Sequence, residues 1–481
     1  MMVMGRQTGR RAAVTAIVMM NAVLAGGSIA HAQTSGVLRK PDAQGNFNPR
    51  VVEGLIKPRL TPEEKKEEIL APFSRKLRES GLKLHGTFLD FMEANPSAGT
   101  YTGNTANSGY LIVGADADLE KILGIKGGTF HFEETIFTLR SNVLISGEIG
   151  DNSIGYPPPY NLRPNQLSLL TYEQHLLNDK LVIEAGRTHP NRYFAAPNCQ
   201  VINSCYQDVL YINAGYVSPQ YSMWGGRVSY AFSPGWYVEA GSFATNPNAN
   251  SRSGWDWGLE TPQGALTMVE IGEKTDFSNS AYPGSYSFTA FYNNADHNSF
   301  KTASGQPKAY FPGDPLRQSH GTQGLVLNTQ QTVWRADGGK GKTMTPTALV
   351  LYSGLGLGLD ATAPIQSDLY VGATLQAPFQ SRPNDRFGVK IKWERMTGAL
   401  ANYLAQANAV AGGTGGDFSR DKAIFELNAH IQLYSAVAFE PVFDYIVNPN
   451  SFYTPTAAKR PQDGVYVGGT FILPFGAMLG L

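Results

Sequence analysis

The chain is expected to fold as an all-β protein: a sixteen-stranded antiparallel up-and-down transmembrane β-barrel with a short N-terminal helical segment. Three observations carry this expectation: strict apolar/polar alternation in many short stretches, long and short connections that alternate between them, and an export signal at the start. In "GGRVSYAFSPGWYVEAGSF" (225–243), Val228, Tyr230 and Phe232 alternate with Arg227, Ser229 and Ala231. After the Ser233-Pro234-Gly235 turn, Trp236, Val238 and Ala240 alternate with Tyr237, Glu239 and Gly241. A period of two sends the two sets to opposite faces of a sheet. The same holds in "AIFELNAHIQL", where Phe425 and Leu427 oppose Glu426, Asn428 and His430, and in "GVKIKWERM", where Val389 and Ile391 oppose Lys390, Lys392 and Glu394.

Taken in order, residues 1–32 read as a secretory signal peptide. Arg6, Arg10 and Arg11 precede an apolar run from Ala12 to Ala25, and Ala30-His31-Ala32 supplies small residues for cleavage near Ala32. Residues 33–82 form a leader and a short helical segment. The leader is rich in Pro, Gly and charge. Thr61, Pro62 and Glu64 give an N-cap, a first-turn Pro and a capping-box acid, and Gly81 ends the helix. Ile69, Leu70, Phe73 and Leu77 make its apolar stripe, which Pro72 should kink or split.

Residues 83–481 are the barrel. Strands are expected to begin near 84, 109, 128, 166, 180, 223, 236, 264, 285, 321, 345, 367, 386, 421, 436 and 464. Connections after odd strands are long: roughly 95–108, 140–165, 188–222, 246–263, 294–320, 398–420 and 448–463, with strand eleven the exception. Those after even strands are mostly short, around Asn178-Asp179, Pro234-Gly235 and Tyr434-Ser435. Periplasmic turns below and extracellular loops above give a membrane barrel this asymmetry, whereas Greek-key sandwiches do not alternate in this way. The apolar rows therefore face lipid and the polar rows an aqueous lumen, which sixteen strands leave too wide for side chains to fill.

Composition narrows the alternatives. Removing residues 1–32 takes away three Arg and no acid, so the 39 basic and 39 acidic groups become an acid excess of about 3. No basic balance points to nucleic acid, and no later apolar stretch is long enough for a membrane helix. Cys199 and Cys205, the only two cysteines, are expected to pair in an exported chain. No metal or cofactor spacing, and no nucleophile with a positioned base, can be read from the sequence. An outer-membrane barrel enzyme of lipase or protease type, and a secreted soluble β-protein, are the alternatives to a channel.

Five stretches, in order along the barrel, resemble the carbohydrate-selective porin (OprB) family of Gram-negative outer membranes. They are "ADLEKILGIKGGTFHF" (117–132), "LTYEQHLLNDKLVIEAGR" (170–187), "WGGRVSYAFSPGWYVEAG" (224–241), "RPNDRFGVKIKW" (382–393) and "FELNAHIQLYSAVAFEPVFDYIVNP" (425–449). The resemblance implies a sixteen-stranded channel in the outer membrane, surrounded by its lipid, that passes glucose and similar mono- or small oligosaccharides. Monomer and homotrimer both remain open. The chain departs from the family pattern at its end, where Leu481 replaces the usual terminal aromatic and Phe475 lies six residues earlier.

A sugar pore needs a narrow zone that replaces water without holding the solute. Hydroxyl pairs suit the fork of Arg and the two oxygens of a carboxylate. On parity, Glu184, Arg227 and Glu239 face the lumen, and Arg187 and Arg192 flank the start of the 188–222 loop. These five are the expected sugar-binding constriction. Lys390, Lys392, Glu394, Glu426, Asn428 and His430 are expected to line the lumen. The 188–222 loop, with its cysteines and the apolar "DVLYINAGY" (208–216), is the expected constriction element.

Overall fold

The computed structural model describes residues 69–481, except 140, 142, 156–164, 206, 208–209, 216–221, 246–252, 256–262, 342 and 435. The expected signal peptide, the leader and the Thr61–Glu64 cap lie outside the described residues.

Sixteen strands are present: β1 (Leu82–Asn95), β2 (Asn104–Asp118), β3 (Gly128–Leu139), β4 (Asn165–Leu176), β5 (Leu181–Thr188), β6 (Met223–Ser233), β7 (Trp236–Thr245), β8 (Gly264–Lys274), β9 (Gly284–Thr302), β10 (Leu316–Arg335), β11 (Ala348–Gly358), β12 (Ile365–Gln376), β13 (Arg386–Met396), β14 (Asp421–Tyr434), β15 (Val437–Val447) and β16 (Gly464–Leu473). Each pairs antiparallel with its sequence neighbours, and β16 closes on β1 with Phe88 opposite Leu473. Closure leaves no edge strand, which is what a sheet in lipid requires.

The alternation decides which way the strands face. On β14, Leu427 is 57% exposed and Glu426 2%; on β6, Val228 is 46% exposed and Arg227 6%. The apolar rows look outward and the polar rows inward, as an up-and-down membrane barrel demands. The exception is β1–β3. There Leu89, Phe91, Tyr110, Ile112 and Phe137 are buried together with Ile202, Ala438 and Ile472, so this part of the interior is apolar as well.

Among the described residues, helices are few and short: α1 (Ala71–Glu79), α2 (Leu119–Leu123), α3 (Ile145–Ile149), α4 (Ile202–Cys205), α5 (Leu210–Ala214), α6 (Gly398–Val410) and α7 (Phe475–Leu479). Three expectations are corrected. Pro72 does not kink α1; it sits in the first turn, where its missing N–H costs nothing. The stripe of α1 is not fully covered, since Phe73 is 52% exposed. The β9–β10 connection is 303–315 rather than 294–320, because both strands extend past the apolar band as a polar hairpin, with Gln318 opposite Asn298. At the other end β16 stops at Leu473. The tail then forms α7, the Leu70 N–H donates to the Leu479 carbonyl at 2.9 Å, and the Phe475 ring lies over Gly86, where any Cβ would collide with it.

Candidate functional site

The segment between β5 and β6 enters the barrel. After Thr188 the chain turns at Pro190–Arg192, and Ala195 takes a left-handed φ of 51°, a conformation that costs a non-glycine residue about 1 kcal/mol. The buried Glu270 of β8 accepts the Ala195 N–H at 2.8 Å and so holds that turn. Beyond it the loop crosses to the opposite wall. The Asn198 N–H donates to Tyr370 Oη at 2.8 Å, the Ile202 N–H to Glu440 at 2.7 Å, and Asn203 to Tyr466 Oη at 3.0 Å. Gln207 donates to both Glu426 (2.8 Å) and Asp444 (3.1 Å), and Asn213 to the Ile365 carbonyl at 2.7 Å. Cys199 and Cys205 form a disulfide that closes the tip around α4.

Four of the five expected constriction residues meet at the root of this loop. Arg227 Nη1 lies 2.7 Å from Glu239, and its Nη2 3.1 Å from Glu184 and 3.3 Å from Glu173; Arg192 Nε lies 3.5 Å from Glu184. Strand register explains the meeting, because Glu173, Glu184 and Arg227 are successive partners across β4, β5 and β6. The Tyr193 ring caps the group with Arg227 stacked 4.3 Å above its centroid, and Phe194 and Phe243 pack behind it. Burial works against the charge on Arg192, but Glu184 and its neighbours outweigh it and raise the guanidinium above its ordinary range.

Arg187 stands apart from the other four. Register places it opposite Trp224, on the face that carries Val228 and Ala185 rather than Glu184, and its Nη2 donates to the Ser222 carbonyl at 2.9 Å. The positive φ of Gly186 (144°) marks the irregular backbone just before it. Arg187 was expected here because it flanks the loop; strand parity, odd against the even Glu184, sets it on the other face.

His131, Glu173 and Glu184 present ligand atoms within 4.8 Å of one another, close enough for a metal ion. The guanidinium of Arg227 already fills the cationic position between the two carboxylates, and His131 Nδ1 is bound to Asp116 at 2.6 Å. The set therefore fits an ion-pair network better than a metal.

The expected lumen-lining residues all face inward, and they hold the loops rather than standing in open water. Lys390 pairs with Glu426 at 2.8 Å and bonds Ser204 of α4. Lys392 pairs with Asp368 at 2.7 Å and donates to the Gln207 carbonyl. Asn428 donates to Glu426 at 2.5 Å, and His430 Nδ1 lies 2.7 Å from Glu440. Glu394 accepts from Asn152 at 3.0 Å and lies 3.1 Å from Lys422. The Lys422 ammonium is ringed by Asp151, Asn152 and Ser153 of the β3–β4 connection.

Open space between the loop and the wall is found along β9–β13. A slot of about 30 Å³ lies among Ala195, Phe291, Asn328 and Tyr370, and one of about 20 Å³ among Asn198, Tyr370, Lys390 and Lys392. Beneath the disulfide tip, at the short-turn end of β8–β13, a cavity of about 240 Å³ opens. Of the residues lining these spaces, sequence reasoning singled out only Lys390, Lys392 and the cysteines. Asn198, Asn328, Tyr370 and the cavity residues were missed, since alternation marks a residue as inward but not as facing a gap.

The comparisons agree with this geometry. The sequence profile of the OprB family, carbohydrate-selective porins, matches residues 103–473. Porin B of Pseudomonas aeruginosa is 26% identical over 289 residues, 58% of this chain and 62% of that protein, so the match spans less than two thirds of Porin B. QuiX of Acinetobacter baylyi is 24% identical over 432 residues, 82% of this chain and 89% of its own length. The high-pH structure of Pseudomonas putida OprB shares the fold, with a TM-score of 0.69 at 20% identity over 83% of this chain and 95% of that one. A sixteen-stranded closed barrel with polar rows inside, matched by that profile over most of its length, belongs to the OprB family of outer-membrane carbohydrate-selective porins.

Proposed function

We propose that this chain conducts small neutral sugars passively across the outer membrane, and that residues 1–32 are the signal peptide that exports it. The observation that carries the reading is the loop 189–222. It spans the lumen and is bonded at its root to Glu270 and at its tip to Glu440, Tyr466, Glu426 and Asp444, leaving small gaps of mixed polar and apolar lining along β9–β13. Amide and phenol groups beside these gaps can replace the water of a sugar, while the charges that border them, Lys390, Lys392 and Asp368, are tied into ion pairs that weaken their hold on it. Glu184, Arg192, Arg227 and Glu239 then act as the loop's anchor. Their charged groups already satisfy one another at 9% exposure or less, so few donors remain for a solute. Asn198, Asn328 and Tyr370 replace them as the expected sugar contacts.

Liposome swelling with glucose, and planar-bilayer conductance with glucose as blocker, test this on the purified protein. Swelling and a saturable fall in current are expected. A protein that neither conducts nor admits glucose would remove the reading and reopen the barrel-enzyme alternative.

A further inference from the structure

Inside the barrel most cations are spoken for. Lys390, Lys392 and Lys422 each have a carboxylate within 3.1 Å, Arg227 has three within 3.3 Å, and Arg192 has Glu184 at 3.5 Å. Arg386, the first residue of β13, is different. Register sets it opposite His430, whose side chain bonds the inward Glu440, so Arg386 shares the inner face. It lines the cavity of about 240 Å³ at the short-turn end, and its guanidinium makes no hydrogen bond or ion pair to any described residue. Glu440, the carboxylate whose field reaches it, is committed to His430 at 2.7 Å and to the Ile202 N–H at 2.7 Å. Around the same cavity stand five carboxamides, Asn198, Gln200, Gln330, Gln376 and Asn384. A guanidinium offers two parallel donors to a pair of adjacent oxygens, and carboxamides both donate and accept, as hydroxyl groups require.

We propose that this cavity is a sugar-binding subsite at the short-turn mouth of the channel, in which Arg386 donates to a vicinal diol and the carboxamides take the flanking hydroxyls. The assignment rests on the porin reading above and extends it. The cavity would hold the solute briefly on one side of the constriction that the loop forms. The diol, rather than an anion, is the assigned partner because the charges balance: Lys274 and Arg386 share the lining with Asp276, the Glu440 carboxylate reaches Arg386, and the remaining polar side chains are neutral.

The test compares the parent with Arg386→Gln, Arg386→Lys and Gln330→Ala in planar bilayers, using glucose and gluconate as blockers and glucose swelling of liposomes as a control. Arg386→Gln and Arg386→Lys are both expected to raise the half-blocking glucose concentration about tenfold, because Lys keeps the charge but loses the fork. Gln330→Ala should raise it a few-fold, and the unitary conductance of all three should stay within twofold of the parent. Half-blocking concentrations equal to the parent's in all three variants, or a parent that passes glucose in swelling yet shows no block, would overturn the subsite. Tighter block by gluconate than by glucose would overturn the diol assignment. A parent that does not pass glucose at all would strike the porin reading itself, a separate result.

Discussion

The wall formed by β4–β8 and the wall formed by β9–β13 carry similar residues and behave differently. Both present Arg or Lys, carboxylates, amides and Tyr to the interior. On the first wall, Glu173, Glu184, Arg192, Arg227 and Glu239 close upon one another beneath Tyr193. On the second, the backbone of Ala196 and Asn198 rests on Asn328 and Tyr370 at single hydrogen-bond distance, and gaps remain on either side. The difference shows that the number of charges facing a lumen does not locate its working surface. Charges that have met their partners build the frame, and the gaps beside neutral hydrogen-bonded groups are left for the solute.

The sharpest way to break this contrast is Arg227→Met. Removing one guanidinium takes from Glu173, Glu184 and Glu239 the cation they share, which should cost about 3–5 kcal/mol and free the loop root. Thermal unfolding in detergent should show the loss and bilayer recordings a larger, noisier conductance. A quiet, stable variant would mean that the first wall is not a frame. Next in size is the contrast of faces on β14. Leu427→Arg puts a charge toward lipid and should destabilise the folded barrel by roughly 2–4 kcal/mol, whereas Leu427→Ile should be nearly silent. Equal tolerance in refolding titrations would reverse inside and outside. Opening the tip with Cys199→Ser should cost about 2 kcal/mol by loop-entropy arithmetic, and the loosened tip should widen the spread of open-channel current. The smallest effect belongs to the second wall. Asn328→Ala removes the donor to Ala196 and the acceptor for Tyr370, should cost only about 1 kcal/mol, and should raise small-ion conductance while weakening glucose block. Unchanged current and block would move the solute's route away from β9–β13.

How far the sequence reaches can be judged from the same two walls. Strand starts such as 128, 223, 236, 264, 386, 421 and 464 coincide with the observed ones, because a half-lipid, half-water strand writes its period directly into the residues. The hairpin of β9 and β10 was read short. Its upper part, with Asn298 and Gln318, is polar on both faces, and alternation carries no signal there. The meeting of Glu184, Arg227 and Glu239 was legible, since it follows from strand parity between neighbours. The entry of the loop was suggested only by its apolar content and its cysteines. Its landing points on Glu440 and Tyr466 lie 238 and 263 residues from their partners, and nothing local encodes a contact of that span. Arg386 has the parity of Lys390 and Lys392. What sets it apart is the lack of a partner, a property of the folded interior alone.

The Cys199–Cys205 bond has a consequence for how this protein is made. Both sulfurs belong to a loop tip inside a closed wall, above a cavity of about 240 Å³, too small to admit a thiol-oxidising enzyme. A bond made by such an enzyme is therefore written while the chain is still open, before β16 meets β1. It serves as a record of sequence in time: oxidation first, closure second. A chain that reaches the membrane reduced would carry its two thiols inside for the life of the barrel, beyond the reach of the machinery that could repair them.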